Sequence, residues 1–278
     1  KDAGKACQMY EQAIYFDSKN EQAYLKLADI YKGANPQQAI EKLEQLKSVV
    51  PSSVLADKKL AEVYYMNNRF DKASEAYARF IHSSETTEDD LVKYAFALFL
   101  NHDFEKSLEV ANLGLKRNAR HAAFNRLAMY NYTDMKRYDD AQKAADAFFN
   151  AADKADYSYL DYMYYGHLLN ALKKYDEAVM QYQKAIELDT SKTELWREIS
   201  NAYEQKNDYT DAIVAYQKYY EALPADEQTA DLQFQIGKLY YGKGTQSDTL
   251  TVSLDERKAA LVSADSVFAV IAQAAPDS

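Results

Sequence analysis

The chain has 278 residues, 47% of them apolar, and only 7 Gly and 4 Pro, a scarcity of chain breakers that favours helices joined by short turns over a strand-rich fold. Its formal charge of −10, from 43 acidic and 33 basic residues, opposes a duplex phosphate backbone unless basic residues are concentrated on one surface, so no nucleic-acid partner is expected. A single cysteine, Cys7, excludes an internal disulfide and a multi-cysteine metal site, and no apolar run approaches the roughly 20 residues of a membrane span, so no direct membrane insertion is expected.

The organisation follows from a recurrent motif of an aromatic residue, two mostly polar residues and a small one. It occurs as Phe70-Asp71-Lys72-Ala73, Phe104-Glu105-Lys106-Ser107, Tyr138-Asp139-Asp140-Ala141, Tyr175-Asp176-Glu177-Ala178 and Tyr209-Thr210-Asp211-Ala212, in steps of 34, 34, 37 and 34 residues. A fixed period of that size means stacked supersecondary units, so residues 1–278 are read as one continuous array. Each period holds two apolar stretches at helical spacing with a polar break between them, which predicts a helix-turn-helix unit.

In chain order, a leading helix within residues 1–20 carries Ala6, Tyr10 and Ala13, and units start near Glu21, Val54, Glu88, His121, Tyr159, Thr193 and Ala230. The fourth unit shifts by one residue between Leu127-Ala128 and Ala141, which leaves the register of its first helix open. Three extra residues around Asp156 to Ser158 lengthen the next junction, and three more fall near Glu227 to Thr229. The last unit carries a long insertion, about 242–253. There Gly242 to Asp248 is turn-forming, Thr249-Leu250-Thr251-Val252 alternates, and Ser253-x2-Glu256 is a capping box that opens a longer helix.

These units resemble the tetratricopeptide repeat (TPR) family, whose pattern runs Trp-x2-Leu-Gly-x2-Tyr, then Ala-x3-Phe, then Pro. The unit beginning at Thr193 matches best, with Trp196-x2-Ile199-Ser200-x2-Tyr203, Ala212-x3-Tyr216 and Pro224. Earlier units show Leu27-Ala28-x2-Tyr31 with Pro51, Leu60-Ala61-x2-Tyr64 with Ala73-x3-Tyr77, and Tyr94-Ala95-x2-Leu98 with Ser107. The resemblance implies an all-α fold, a right-handed TPR superhelix built as an α-solenoid of antiparallel helix pairs, in the style of bacterial multi-repeat arrays.

Enzyme chemistry has no visible home. No glycine-rich phosphate loop, His-Glu-x-x-His or nucleophile elbow appears, and the histidines His82, His102, His121 and His167 share no ligand spacing, so neither catalysis, a metal nor a cofactor is expected. The family resemblance places the first helices of successive units along a concave groove. The outward positions on those helices are Lys58, Glu62 and Tyr65; Lys93, Phe96 and Phe99; Arg126, Met129 and Tyr132; Met163, Tyr164 and His167; Arg197 and Asn201; and Phe234, Lys238 and Tyr241. Aromatic anchors beside Arg or Lys are the composition of interaction hot spots, so the groove is expected to take a peptide or protein segment, with its basic residues drawing an acidic ligand.

One TPR subtype grips C-terminal carboxylates through Lys, Asn and Arg on consecutive units. Arg197 and Asn201 match part of that set, but Asp231 and Gln235 on the next unit do not, so this subtype is not expected. The alternatives to an adaptor are a structural or self-assembling segment, pairing end to end through Val267, Phe268, Val270 and Ile271, or a regulatory array joined to an enzyme domain elsewhere. A start at Lys1 without Met and an end at the turn-like Pro276-Asp277-Ser278 lead to the expectation of a piece of a longer protein, soluble, whose missing N-terminus decides between an exported and a cytoplasmic location.

Overall fold

The computed structural model describes residues 3–247 and 252–274. Among them are fifteen α-helices and no strand: α1 (Ala3–Phe16), α2 (Glu21–Ala34), α3 (Pro36–Val49), α4 (Val54–Met66), α5 (Phe70–Phe80), α6 (Glu88–Leu100), α7 (Phe104–Arg117), α8 (Ala122–Asp134), α9 (Tyr138–Ala151), α10 (Tyr159–Ala171), α11 (Tyr175–Leu188), α12 (Leu195–Gln205), α13 (Tyr209–Ala222), α14 (Ala230–Thr245) and α15 (Leu254–Ala274). The chain gathers into two compact units divided between Ala151 and Ala152. In the first, α1 packs on α2, and α2/α3, α4/α5, α6/α7 and α8/α9 form helix pairs; in the second the pairs are α10/α11, α12/α13 and α14/α15.

Five of the pairs turn in the same way. Asn68, His102, Lys136, Lys173 and Asn207 each adopt a left-handed backbone conformation, with φ between 55° and 65°. The next amide in each case donates five residues back, Arg69 to Tyr64 O (2.9 Å), Asp103 to Leu98 O (3.0 Å), and Arg137, Lys174 and Asp208 to Tyr132, Leu169 and Tyr203 O at 2.8 Å. This bond closes the first helix on its own carbonyls, so the chain reverses without needing a particular side chain. The first pair differs: Asn35 both ends α2, its amide 2.7 Å from Tyr31 O, and caps α3, whose first residue is Pro36.

A small residue twelve positions before each motif's own small residue lets the two helices of a pair approach. Ala61, Ala95, Gly166 and Ser200 hold this position, Gly237 is its counterpart on α14, and all are buried. A Cβ on Gly166 would stand 2.5 Å from Tyr182 Cε1, and one on Gly237 2.5 Å from Phe268 Cε1. In the fourth unit the position belongs to Met129, fully buried, and the second-helix position held elsewhere by Tyr77, Tyr182 and Tyr216 belongs to Ala145. The turn bond from Arg137 to Tyr132 fixes this register, so the unit contains no one-residue shift: its large and small residues have exchanged helices.

The insertion of the last unit begins later than its glycines suggest. Helix α14 continues through Gly242, Gly244 and Thr245, because these glycines serve close approaches to the Tyr209 ring and to Leu261 and not a turn. α14 ends at Thr245 and α15 begins at Leu254. α15 opens on a cap in which the Ser253 amide and hydroxyl donate to Glu256 at 2.8 and 2.6 Å. Thr249, Leu250 and Thr251 lie outside the described residues, as do Pro276 to Ser278.

Candidate interaction face on the first helices

Within the N-terminal unit the first helices of successive pairs pack on one another, α2 on α4 and α6 on α8, so they share one face. An aromatic ladder crosses it. Tyr65 on α4 and Phe96 on α6 have ring centroids 6.5 Å apart, Phe96 and Phe99 stack at 6.2 Å, and Phe99 reaches Tyr130 on α8 at 5.6 Å. Tyr65 and Phe96 are half-buried and present their rings outward, whereas Phe99 is 6% exposed and forms the floor beneath them. Burial, with a smaller contribution from Asp89, raises the Tyr65 phenol above its ordinary range, so the phenol is neutral. Beside the ladder lies a cleft of about 470 Å3 lined by Lys32, Glu62, Tyr65, Met66 and Lys93.

The basic residues of this face are mostly engaged. Lys58 donates to Asp90 Oδ2 at 2.7 Å and to Glu85 O at 2.9 Å, tying α4 to the start of α6. Burial alone would raise the Asp90 carboxyl, but hydrogen bonds from Lys58 and from the Thr87 amide and hydroxyl hold it below the ordinary carboxylate range. Lys93 pairs with Asp89 at 2.6 Å, and the Arg126 guanidinium lies 4.8 Å over the Phe148 ring. Lys58 and Arg126 are therefore structural ties, and a face whose cations are already partnered gives little reason for an acidic ligand.

Two of the positions read from sequence as outward are inward. Phe99 is part of the floor, and Met129 fills the helix-pair core, because the register of α8 puts Tyr130 where Phe96 and Glu62 stand. Tyr132 is covered by Arg137, whose guanidinium sits 4.7 Å above its ring. In the C-terminal unit Met163 packs against the core of α11 and α12, Tyr164 meets His167 edge-on at 5.9 Å, and His167 meets Tyr182 at 5.5 Å. Arg197 is 5.6 Å over Tyr219 and 3.7 Å from Glu198, with Asn201 half-buried beside it on α12. Phe234 (46% exposed), Lys238 and Tyr241 (56% exposed) lie on the open side of α14.

On the terminal helix, Phe268 packs on Gly237 and, at 5.3 Å, on Phe234, within its own helix pair. Val270 is 58% exposed, and Val267 and Ile271 are half-buried.

Sequence reading missed Lys32, which lies on α2 33 residues before Tyr65. The repeat step applied backwards from Tyr65 would have found it. Among the described residues no group of three or more His, Cys, Asp or Glu is gathered as metal ligands would be, and no helix is long and apolar enough to cross a membrane.

Antiparallel helix pairs with a recurrent turn, a recurrent small-residue contact and, in the N-terminal unit, a shared first-helix face define a helical-repeat solenoid. Tetratricopeptide repeat profiles match residues 22–53 and 165–227, and the chain is a tetratricopeptide-repeat protein. Solved structures of the same fold include the C-terminal part of a TPR repeat-containing protein from Cytophaga hutchinsonii, 22% identical with a TM-score of 0.51 over 66% of this chain and 64% of that one. A chain of the APC/C hetero-tetramer Cut9–Hcn1 gives a TM-score of 0.60 at 13% identity, over 84% and 46%. MamA from Desulfovibrio magneticus RS-1 gives 0.52 at 16%, over 61% and 94%. This chain thus spans less than two thirds of the first two, and at such identities the likeness is one of fold. No curated protein matches it.

Proposed function

We propose that the chain is a non-enzymatic interaction scaffold and that the first-helix face of its N-terminal unit, centred on Tyr65 and Phe96, binds a peptide or protein segment. The ladder from Tyr65 to Tyr130 carries this reading. It sets two outward aromatic rings on a rigid buried floor, which costs a partner little ordering on binding. Glu62 and Lys93 on its rim set orientation, and their partnered state favours a ligand of mixed or low charge over an acidic one. That a TPR-fold chain stands in the Cut9–Hcn1 hetero-tetramer is consistent with such a role.

The test is capture from native extract on the wild-type chain and on a Tyr65→Ala/Phe96→Ala variant with matched helicity and melting. A protein held by the first and lost by the second supports the reading and identifies the partner. Identical captures, or none, would remove it.

A further inference from the structure

A cleft of about 810 Å3 lies on the opposite side of the N-terminal unit, between the second helices α5 and α7. Its origin is a missing turn. Helices α3, α7, α9, α11 and α13 each have 14 residues, whereas α5 has 11. The chain stops being helical at Phe80 because the Thr86 hydroxyl, at 3.0 Å, and the Ser83 amide, at 2.7 Å, take the Phe80 carbonyl. The repeat step is unchanged, so three residues have passed from the helix to the connection. The wall that a fourth turn would have built against α7 is absent.

What is left uncovered is apolar below and charged above. Ala78 and Ile81 form one wall and Val110 and Leu113 the other, with Leu113 38% exposed. Lys106 and Lys116 stand at the two ends of the α7 wall, ten positions or about 15 Å apart at 1.5 Å per residue. His82 also lines the cleft, and Glu109 is the acidic exception. Lys106 shares its charge with Asp103 at 2.7 Å, but its side chain is largely exposed, and such pairs are easily exchanged.

We infer that this cleft is a second docking site, separate from the Tyr65–Phe96 face, for an amphipathic helical segment of a partner protein that places apolar anchors between α5 and α7 and acidic residues against Lys106 and Lys116. Charge complementarity selects this occupant. In a chain of net charge −10 the rim is locally basic, and the 15 Å between its lysines corresponds to the ends of a segment of two to three helical turns.

The experiment is fluorescence anisotropy on the full chain with a labelled helical peptide of roughly 16 residues bearing leucines at i, i+3 and i+7 and, flanking them, glutamates ten positions apart. Control peptides carry lysine for glutamate or serine for leucine. The glutamate peptide should bind saturably, weaken with salt, and lose about tenfold or more in affinity against Lys106→Glu/Lys116→Glu and against Ala78→Arg, with Tyr65→Ala/Phe96→Ala unchanged. Helicity and melting of each variant establish that it is folded. Absence of saturable binding, equal binding of the lysine peptide, or a loss confined to the Tyr65/Phe96 variant overturns the inference. So does sedimentation showing that Ala78→Arg abolishes self-association, which would make a second copy the occupant.

Discussion

Gly166 on α10 lies directly under the ring of Tyr182 on α11, so close that a methyl group at Gly166 would overlap the ring edge. The contact joins the two helices at the step where α4/α5, α10/α11 and α12/α13 each set a small residue opposite a tyrosine. Gly166→Ala should therefore destabilise by roughly 1–3 kcal/mol through overpacking. A Gly166→Ala/Tyr182→Leu double variant should recover part of that loss in urea unfolding, and additive losses would show that the two positions are not coupled.

The hydroxyls of Tyr77 and Tyr182 are buried and make no hydrogen bond, and burial pushes both phenols well above the ordinary tyrosine range. Phenylalanine keeps the ring and removes the unsatisfied oxygen. Tyr77→Phe and Tyr182→Phe are expected to be neutral or to raise stability by about 1 kcal/mol, measured as a shift in the denaturant midpoint at constant slope. A clear drop in either midpoint would mean that the hydroxyl has a partner.

Met129 and Ala145 carry the same contact with sizes reversed. Met129→Ala should cost about 2–5 kcal/mol by leaving a cavity between α8 and α9. Met129→Gly/Ala145→Tyr, which restores the arrangement of the other pairs, should be markedly more stable than Met129→Gly alone. A double variant no better than the single would refute the exchange.

Asp90 contributes to the acid sensitivity of the N-terminal unit. Its folded carboxyl is held below the unfolded value near 3.8, so its contribution is fully present above that value and fades as pH falls through the lower, folded one. Removing the charge with Asp90→Asn should lower stability at pH 7 by roughly 1.5–3 kcal/mol, the scale of a charged hydrogen bond. It should also flatten the decline that sets in as pH falls below about 4. Lys58→Met should act in the same direction, and an unchanged acid limb in both variants would assign the sensitivity elsewhere.

The turn residues give a reciprocal test. Lys136 and Lys173 hold a left-handed conformation that disfavours a side chain, with φ of 58° and 61°. Glycine at either should raise stability by about 0.5–1 kcal/mol in thermal or urea unfolding, and a loss would mean that the lysine side chain has a structural role.

The period and the pairing of helices were legible because aromatic and small residues recur at fixed steps, and these are the residues whose packing makes the fold. What escaped the sequence depended on exchange or on distance along the chain. Met129 looked like a register slip because a large residue had moved to the helix where a small one was expected. Gly242 and Gly244 looked like a turn because a glycine needed for close approach has the same letter as one needed for a bend. Lys58 looked available to a ligand because its partner, Asp90, is 32 residues away, just as Lys59 and Lys206 find Asp29 and Asp176 at 30. Pairs at this separation link successive repeats and leave no local pattern.

The shortened α5 leaves the step from Ala61 to Ala95 at 34 residues, the same as from Ala95 to Met129. What registers one helix pair on the next is thus the number of residues between packing points, not the place where a helix happens to stop. Residues 81–86 can then be regarded as an interchangeable cassette: another sequence of the same length, helical or not, would reshape the outer surface of the N-terminal unit while its inner face and core kept their alignment.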